Sequence, residues 1–249
     1  MRWRVPMHPI EHVLPGAGAL LDIGCNTGAF LRYARERFPQ IQAYGVDLNF
    51  LALRQIPRHE IASCQSVSYQ LPFADEVFSC VTCIQVFEHI PPGERRATLE
   101  EIWRVLKPGG RFVLSTPHAG ITAWADPNNL RFRWPRLYRA LIRTGLRDRA
   151  FTREREVIWH DHFHLHEIRE LAGTRAWKTE YVYRGGCLTP FLDLLCWPLY
   201  RLGLDASPVN RWLQRLSGWD LSLNLGRAGY NLLIALRKAE SYSEAAPSC

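Results

Sequence analysis

The stretch Leu20-Leu21-Asp22-Ile23-Gly24-Cys25-Asn26-Thr27-Gly28-Ala29-Phe30 decides how this chain is read. An apolar run stops at Gly24, and a helix-period pattern begins after Gly28. That succession predicts a buried strand, a tight glycine turn and a helix, the geometry in which a ligand meets a helix N-terminus. Gly24 and Gly28 carry no Cβ, so the backbone can bend sharply and a ligand can lie directly on it. Asp22 places a carboxylate where a ligand amine could approach. The spacing is D-x-G-x-x-x-G, with Asn26 where a dinucleotide fingerprint needs its second glycine. No Gly-Lys-Ser/Thr follows to hold a triphosphate.

Strand and helix patterns then alternate, as in an α/β sheet. Ile41–Leu48 reads as a second strand ending in Asp47, about twenty residues past the glycine turn, where an acid accepts both hydroxyls of a ribose. The alternative for Asp47 is a helix cap. A third strand is predicted over Glu60–Ser66, and a fourth strand with its loop over Val77–Ile90. Pro91 and Pro92 mark the start of a helix over Gly93–Leu106, with Leu99, Ile102, Val105 and Leu106 helically spaced.

Taken in order, these stretches resemble the class I S-adenosylmethionine (SAM) methyltransferases, of the type 11 kind related to the ubiquinone and menaquinone methyltransferases. Asp22–Gly28 resembles their D-x-G-C-G-x-G motif, with Asn26 for the middle glycine. Leu71-Pro72-Phe73-Ala74-Asp75 keeps the L-P-F-x-D of D-A-E-x-L-P-F but offers no acid before it. Phe78–Ile90 is similar to F-D-x-V-x-x-x-x-V-L-E-H-I, with Ser79 for the aspartate, and Leu106-Lys107-Pro108-Gly109-Gly110 matches the turn into strand five. The matches run from Leu20 to His118. Glu88-His89 also resembles the end of the E-x-x-E-H of ubiquinone-biosynthesis O-methyltransferases, with Gln85 at the place of the first acid.

The resemblance implies SAM as cofactor and S-adenosylhomocysteine (SAH) as product. It assigns Asp22, Gly24, Cys25, Asn26, Thr27 and Gly28 to the methionine part, and Asp47 with Leu48 to the ribose. Ser66 and Val67 fall at the adenine, with backbone, a hydroxyl or Gln70 replacing the missing acid, and Gln85 lies beside the cofactor. The implied fold is a Rossmann-like doubly wound sheet, mostly parallel with an antiparallel last strand, carrying helical cap insertions. Residues 1–118 form the core, completed by 160–186 and 228–238. Residues 119–159 and 187–227 are the insertions, and 239–249 a disordered tail.

Composition bounds the rest. With 249 residues and 47% apolar content, the chain can bury one good core. No signal peptide is expected, and seven scattered cysteines suit a reducing cytoplasm. Cys80 and Cys83 are three apart on a predicted strand and so point to opposite faces, which excludes shared metal binding. A net charge of +7 favours an anionic partner.

That charge gathers in the first insertion. There Trp134, Leu137, Tyr138, Leu141 and Ile142 repeat at helical spacing opposite Arg136, Arg139, Arg143 and Arg147. In the second, Phe191–Leu202 is too short and too interrupted to span a bilayer, yet apolar enough to dip into one. Trp212, Leu213 and Leu216 are expected to share a face flanked by Arg211 and Arg215. Residues 131–147 and 191–216 thus read as a cap, as a surface for an anionic membrane, or as both. A nucleic-acid partner is not expected, because Ile84-Gln85-Val86-Phe87 stands where base methyltransferases carry D/N-P-P-Y/F.

Methyl transfer from a sulfonium mainly requires alignment, with a base for a hydroxyl acceptor. His89, His118 and His162 are the candidate bases. A metal reading of His160-Asp161-His162-Phe163-His164-Leu165-His166 is set aside, because His164 onward looks like a helix start that breaks the common face. No metal is expected. The expected function is O-methylation of a small or lipid-linked acceptor at the cytoplasmic membrane face, by a cytoplasmic protein attached peripherally. The alternatives are a SAM-binding module without catalysis and a membrane-associated scaffold.

Overall fold

A computed structural model describes residues 7–57, 59–126, 134–136, 160–173, 175–204 and 206–240. Its centre is a seven-stranded sheet in the order β3-β2-β1-β4-β5-β7-β6. The strands are β1 (Ala17–Ile23), β2 (Gln40–Asp47), β3 (Ala62–Gln65), β4 (Phe78–Ile84), β5 (Leu106–Pro117), β6 (Trp177–Gly185) and β7 (Asn231–Lys238). β1 to β5 pair in parallel, and β7 runs antiparallel to both β5 and β6. This is the doubly wound sheet with an antiparallel last strand that the sequence predicts. The order reverses between β1 and β4, so a ligand crevice opens at their carboxyl ends.

β4 shows why the apolar runs become strands. Cys80 packs on one face of the sheet with Leu20 and Val113, and Cys83 on the other with Ile23 and Leu114. One face is covered by α1 (Met7–Glu11) and α2 (Ala29–Arg37), through Ile10, Phe30, Leu31 and Ala34. A short α3 (Phe50–Leu53) adds Leu53 to that layer. The other face is covered by α4 (Pro92–Val105) and α5 (Leu165–Ala172), through Leu99, Ile102, Ile168 and Ala172. Each such side chain, taken fully out of water, contributes about 1.5–3 kcal/mol.

The Leu71–Asp75 stretch has a structural job. Arg104, in the last turn of α4, donates to the carbonyls of Phe73 (2.7 Å) and Leu71 (3.1 Å) and to Asp75 Oδ1 (2.8 Å). Glu101 of the same helix accepts from the Leu71 amide at 2.7 Å. The loop leading into β4 is therefore pinned to the helix that leaves it.

The second insertion is helical: α6 (Thr189–Arg201) and α7 (Pro208–Leu221) pack on a small core of Leu192, Cys196 and Leu213. Asp220 Oδ2 accepts three bonds at 2.8 Å, from the Leu188 and Thr189 amides and the Thr189 hydroxyl, so the end of α7 caps the start of α6. One expectation fails here. Leu213 and Leu216 face the hairpin core, but Trp212 is 61% exposed beside Arg211 and Arg215. Adjacent helical residues are about 100° apart, so Trp212 and Leu213 cannot share an inward face.

Of the first insertion's amphipathic stretch, residues 131–133 and 137–147 lie outside the described residues, as do 241–249 of the tail. Ala239 still bonds, its amide donating to the Ala176 carbonyl at 3.0 Å. Among the described residues, no helix is long and apolar enough to cross a membrane.

Candidate active site

The glycine loop is stitched to β2 by its own backbone. The Gly24 and Cys25 amides both donate to the Val46 carbonyl, at 2.8 and 3.0 Å. Gly24 sits at φ +78°, and a Cβ there would stand 2.3 Å from Val86 Cγ2, so both conformation and space require glycine. Asn26 also lies in the left-handed region, at φ +48°. Asparagine tolerates that region better than most residues, which explains how it replaces a glycine here. Gly28 (φ +73°) closes the loop, its amide on the Cys25 carbonyl at 2.8 Å, and α2 begins at the next residue.

Asp47 anchors the far side. Its Oδ2 accepts the Asn26 amide and its Oδ1 the Asn49 amide, both at 2.7 Å. Each carboxylate oxygen has a second lone pair, so the pair can still accept two hydroxyls of a diol. The adjoining Leu48 is 65% exposed and offers an apolar surface beside that carboxylate.

Asp22 is buried beneath the loop, opposite Thr82 in the β1–β4 register, and the Thr82 hydroxyl donates to its Oδ1 at 2.7 Å. Burial pushes its carboxyl up to about 7, against the Thr82 bond and with the help of the Asp47 charge. The same burial, with both aspartates nearby, raises the Cys25 thiol, so Cys25 is a wall of the crevice and not a nucleophile.

Thr27 is half-buried in the loop. Ser66 Oγ lies 3.0 Å from the carbonyls of Val67 and Gln70 and closes its own turn. Gln85 holds φ +55°, and its side-chain amide donates to Ser115 Oγ (3.1 Å) and Asn231 Oδ1 (3.4 Å). That amide is therefore tied to β5 and β7.

The three candidate bases fall in two places. His118, buried just past β5, has Nδ1 at 2.8 Å from the Gly229 carbonyl. A carbonyl only accepts, so Nδ1 carries the proton and Nε2 is the basic nitrogen. Burial lowers the His118 pKa against the pull of that carbonyl, which favours the neutral ring. His118 neighbours His164, ring to ring at 5.6 Å.

His89 and His162 sit in a second group, joined through His160. The His89 and His160 rings are 4.9 Å apart, and those of His160 and His162 5.9 Å. Buried Asp126 holds Oδ2 at 3.1 Å from His162 Nε2 and 3.6 Å from His160 Nε2. Glu88 is buried next to His89, its Oε2 accepting from the Thr116 hydroxyl at 3.3 Å. Burial lifts the Glu88 carboxyl to about 8 and drops His160 to about 4. In the sequence Glu88 stands out only through the Glu88-His89 motif and His160 only as part of the histidine run, whose expected roles are helix capping, substrate positioning or general base; no local pattern marks Asp126.

A reversed strand order above a glycine crevice, with an acid at the end of each of the first two strands, defines an α/β fold built for a nucleoside-bearing ligand. Residues 21–114 match the profile of the methyltransferase domain family, the stretch from β1 into β5. The whole fold is similar to the S-adenosylmethionine dependent methyltransferase from Mesorhizobium loti. The TM-score is 0.58 over 92% of this chain and 95% of that one, at 16% identity, a likeness of fold alone. In sequence, the chain is 31% identical over 112 residues to the ubiquinone biosynthesis O-methyltransferase of Idiomarina loihiensis. It is 33% identical over 113 residues to a ubiquinone/menaquinone biosynthesis C-methyltransferase of Desulfotalea psychrophila. Each match covers 42% of this chain and 44% of the relative.

Proposed function

We propose that the protein is a SAM-dependent methyltransferase acting on an oxygen of a small or lipid-linked acceptor at a cytoplasmic membrane face. The observation that carries the cofactor is the Asn26–Asp47–Asn49 arrangement. Two amides aim a carboxylate across the glycine loop while leaving it a lone pair on each oxygen for a ribose diol. Buried Asp22, accepting from the Thr82 hydroxyl, fits the ligand's ammonium group, and the glycine loop between them fits its backbone-hugging methionine part. Leu48 lies where the apolar face of a base would rest, and the Ser66–Val67 turn where its edge would be read.

When bound, SAM supplies a methyl group on a sulfonium and departs as SAH. The chain's own part is to hold and align. His118 Nε2 takes the hydroxyl proton of the acceptor, its tautomer fixed by the Gly229 carbonyl. The O-methyltransferase name of one relative supports an oxygen acceptor, and the ubiquinone and menaquinone names of both support an amphiphile. Trp212 and Trp219, 61% and 57% exposed on α7 beside Arg211 and Arg215, support delivery from an anionic lipid surface.

Calorimetry with SAM and SAH tests the reading. Asp47→Ala is expected to weaken both roughly thirtyfold, the loss of about 2 kcal/mol for hydrogen bonds to a charged group. Unchanged affinity for either ligand overturns it.

A further inference from the structure

An arginine drawn into a protein keeps its charge, and that charge is normally answered by an acid. Among the described residues, the other arginines that are buried or half-buried each face a carboxylate. Arg32 pairs with Glu60, Arg95 with Asp161 and Arg104 with Glu101, while Arg111 and Arg237 share Glu180. Arg184, half-buried near the end of β6, is the exception. Its backbone is engaged, the amide donating to Asn224 Oδ1 (3.2 Å) and the carbonyl accepting from the Leu225 amide (2.7 Å). Its guanidinium has no ion pair or hydrogen bond among the described residues.

The sheet brings this arginine to His118. β5 and β6 flank β7 and run the same way, so their last residues reach the carboxyl edge together. Arg184 pairs with Leu232, and Leu232 with Thr116 on its other side, which puts Arg184 and Thr116 on the face covered by α4 and α5. His118 lies two residues past Thr116 and shares that face, its ring against His164 at the start of α5. Gly229 lets the two approach. Its carbonyl holds His118 Nδ1 at 2.8 Å, and a Cβ on it would stand 2.5 Å from the Arg184 carbonyl oxygen and 2.9 Å from Arg184 Cβ. The charges that bear most on His118 are positive, Arg184 first and then the rings of His164 and His162.

We propose that Arg184 binds an oxyanion of the acceptor, a carboxylate or a phosphate, and so holds the acceptor's hydroxyl against His118. The proposal rests on the reading of His118 as the base that meets the acceptor. A guanidinium matches either oxyanion with two parallel N–H bonds, which fix the rotation of the bound group as well as its position. An uncharged hydroxyl compound leaves the arginine unanswered and is selected against.

The test reads anion binding without methyl transfer, so it can fail while SAM binding stands, and the reverse. Full-length protein without SAM is titrated with phenyl phosphate, benzoate and phenol. The His118 ring proton is followed by NMR, assigned by its loss in His118→Ala. Phenyl phosphate or benzoate should bind and raise the His118 pKa by about 1, as an opposite charge beside an imidazole does. The tighter of the two identifies the oxyanion, and phenol should bind about tenfold more weakly or worse. Arg184→Gln should weaken the anion by about tenfold or more, the loss of hydrogen bonds to a charged group. It should also raise the His118 pKa before any anion is added, because a repelling cation has gone. Arg184→Lys, which keeps the charge and loses the fork, should fall between the two. Arg37→Gln, at an exposed arginine in the last turn of α2, should leave binding unchanged, and circular dichroism checks that each variant is folded. Failure of both anions to bind the unsubstituted protein overturns the proposal. So does binding that survives Arg184→Gln, falls equally in Arg37→Gln, or is matched by phenol.

Discussion

In the glycine crevice most contacts run between Asp22 and Asn49, backbone to backbone or backbone to Asp47, with Thr82 and Val86 closing in from β4 and the turn after it. On the histidine side Glu88, Asp126 and His160 arrive from separate segments and meet through side chains, while His118 is held apart from them by the Gly229 carbonyl. The first region is a property of the consecutive elements β1, α2 and β2, and the second exists only after β5 and residues 160–163 have been brought together. A local unit fails all at once when its backbone is disturbed, whereas a convergent pocket should lose one function at a time.

Gly24→Val is the sharpest way to break that contrast. The left-handed backbone costs a branched residue about 1–2 kcal/mol, and its contact with Val86 about 1–3 more. The melting temperature should fall by about 5–15 °C, and SAM affinity should drop below detection by calorimetry. A variant that still binds SAM normally would show that the loop is not the binding element.

His118→Ala probes the other region with the next largest effect. Loss of a general base lowers kcat by about a hundredfold or more, with SAM affinity intact. The lowered pKa of His118 also sets a sign. In the unsubstituted enzyme kcat should rise through a pKa below 6.5 as the ring loses its proton, and that limb should vanish in the variant. A limb that persists moves the base away from His118.

The same contrast explains what could be read before the structure. Strand order, the glycine turn and Asp47 are written in spacing, because a tight turn and a parallel register constrain neighbours in the chain. The tolerance of Asn26 was not written there; it rests on a left-handed backbone that one residue type in place of another does not reveal. Gln85 was placed at the cofactor by its position after β4, yet its side-chain amide bonds across the sheet to Asn231, on a strand that pairs antiparallel much later in the chain. Asp126 had no signal at all, since its partners are histidines that approach only through the fold.

Asp22 gives a smaller, graded test inside the crevice. Its carboxyl is raised from 3.8 to about 7. Between those values the folded chain holds a proton that the unfolded chain lacks, so this group's contribution to stability falls as pH rises. Ligand binding has the opposite sign, because an ammonium group needs the anion. SAM affinity should therefore be about tenfold stronger at pH 8 than at pH 6, and Asp22→Asn should flatten the dependence. A flat profile in the unsubstituted protein would remove Asp22 from the ligand's reach.

The smallest effect concerns what feeds the pocket. α6 and α7 pack through Leu192, Cys196 and Leu213, and the outer side of α7 carries Trp212 and Trp219 next to Arg211 and Arg215. If that side rests on an anionic membrane, each arginine near the surface adds about 1 kcal/mol, so Arg215→Ala should weaken sedimentation with anionic vesicles about fivefold. Neutral vesicles should bind weakly and show no such loss, because only the tryptophans act there. Salt should erase the difference between the two vesicle types, since exposed charges are screened within about 8 Å at physiological ionic strength. Equal binding of both proteins to anionic vesicles would instead leave the arginines as an ordinary solvated face. The acceptor would then have to reach the histidines from solution.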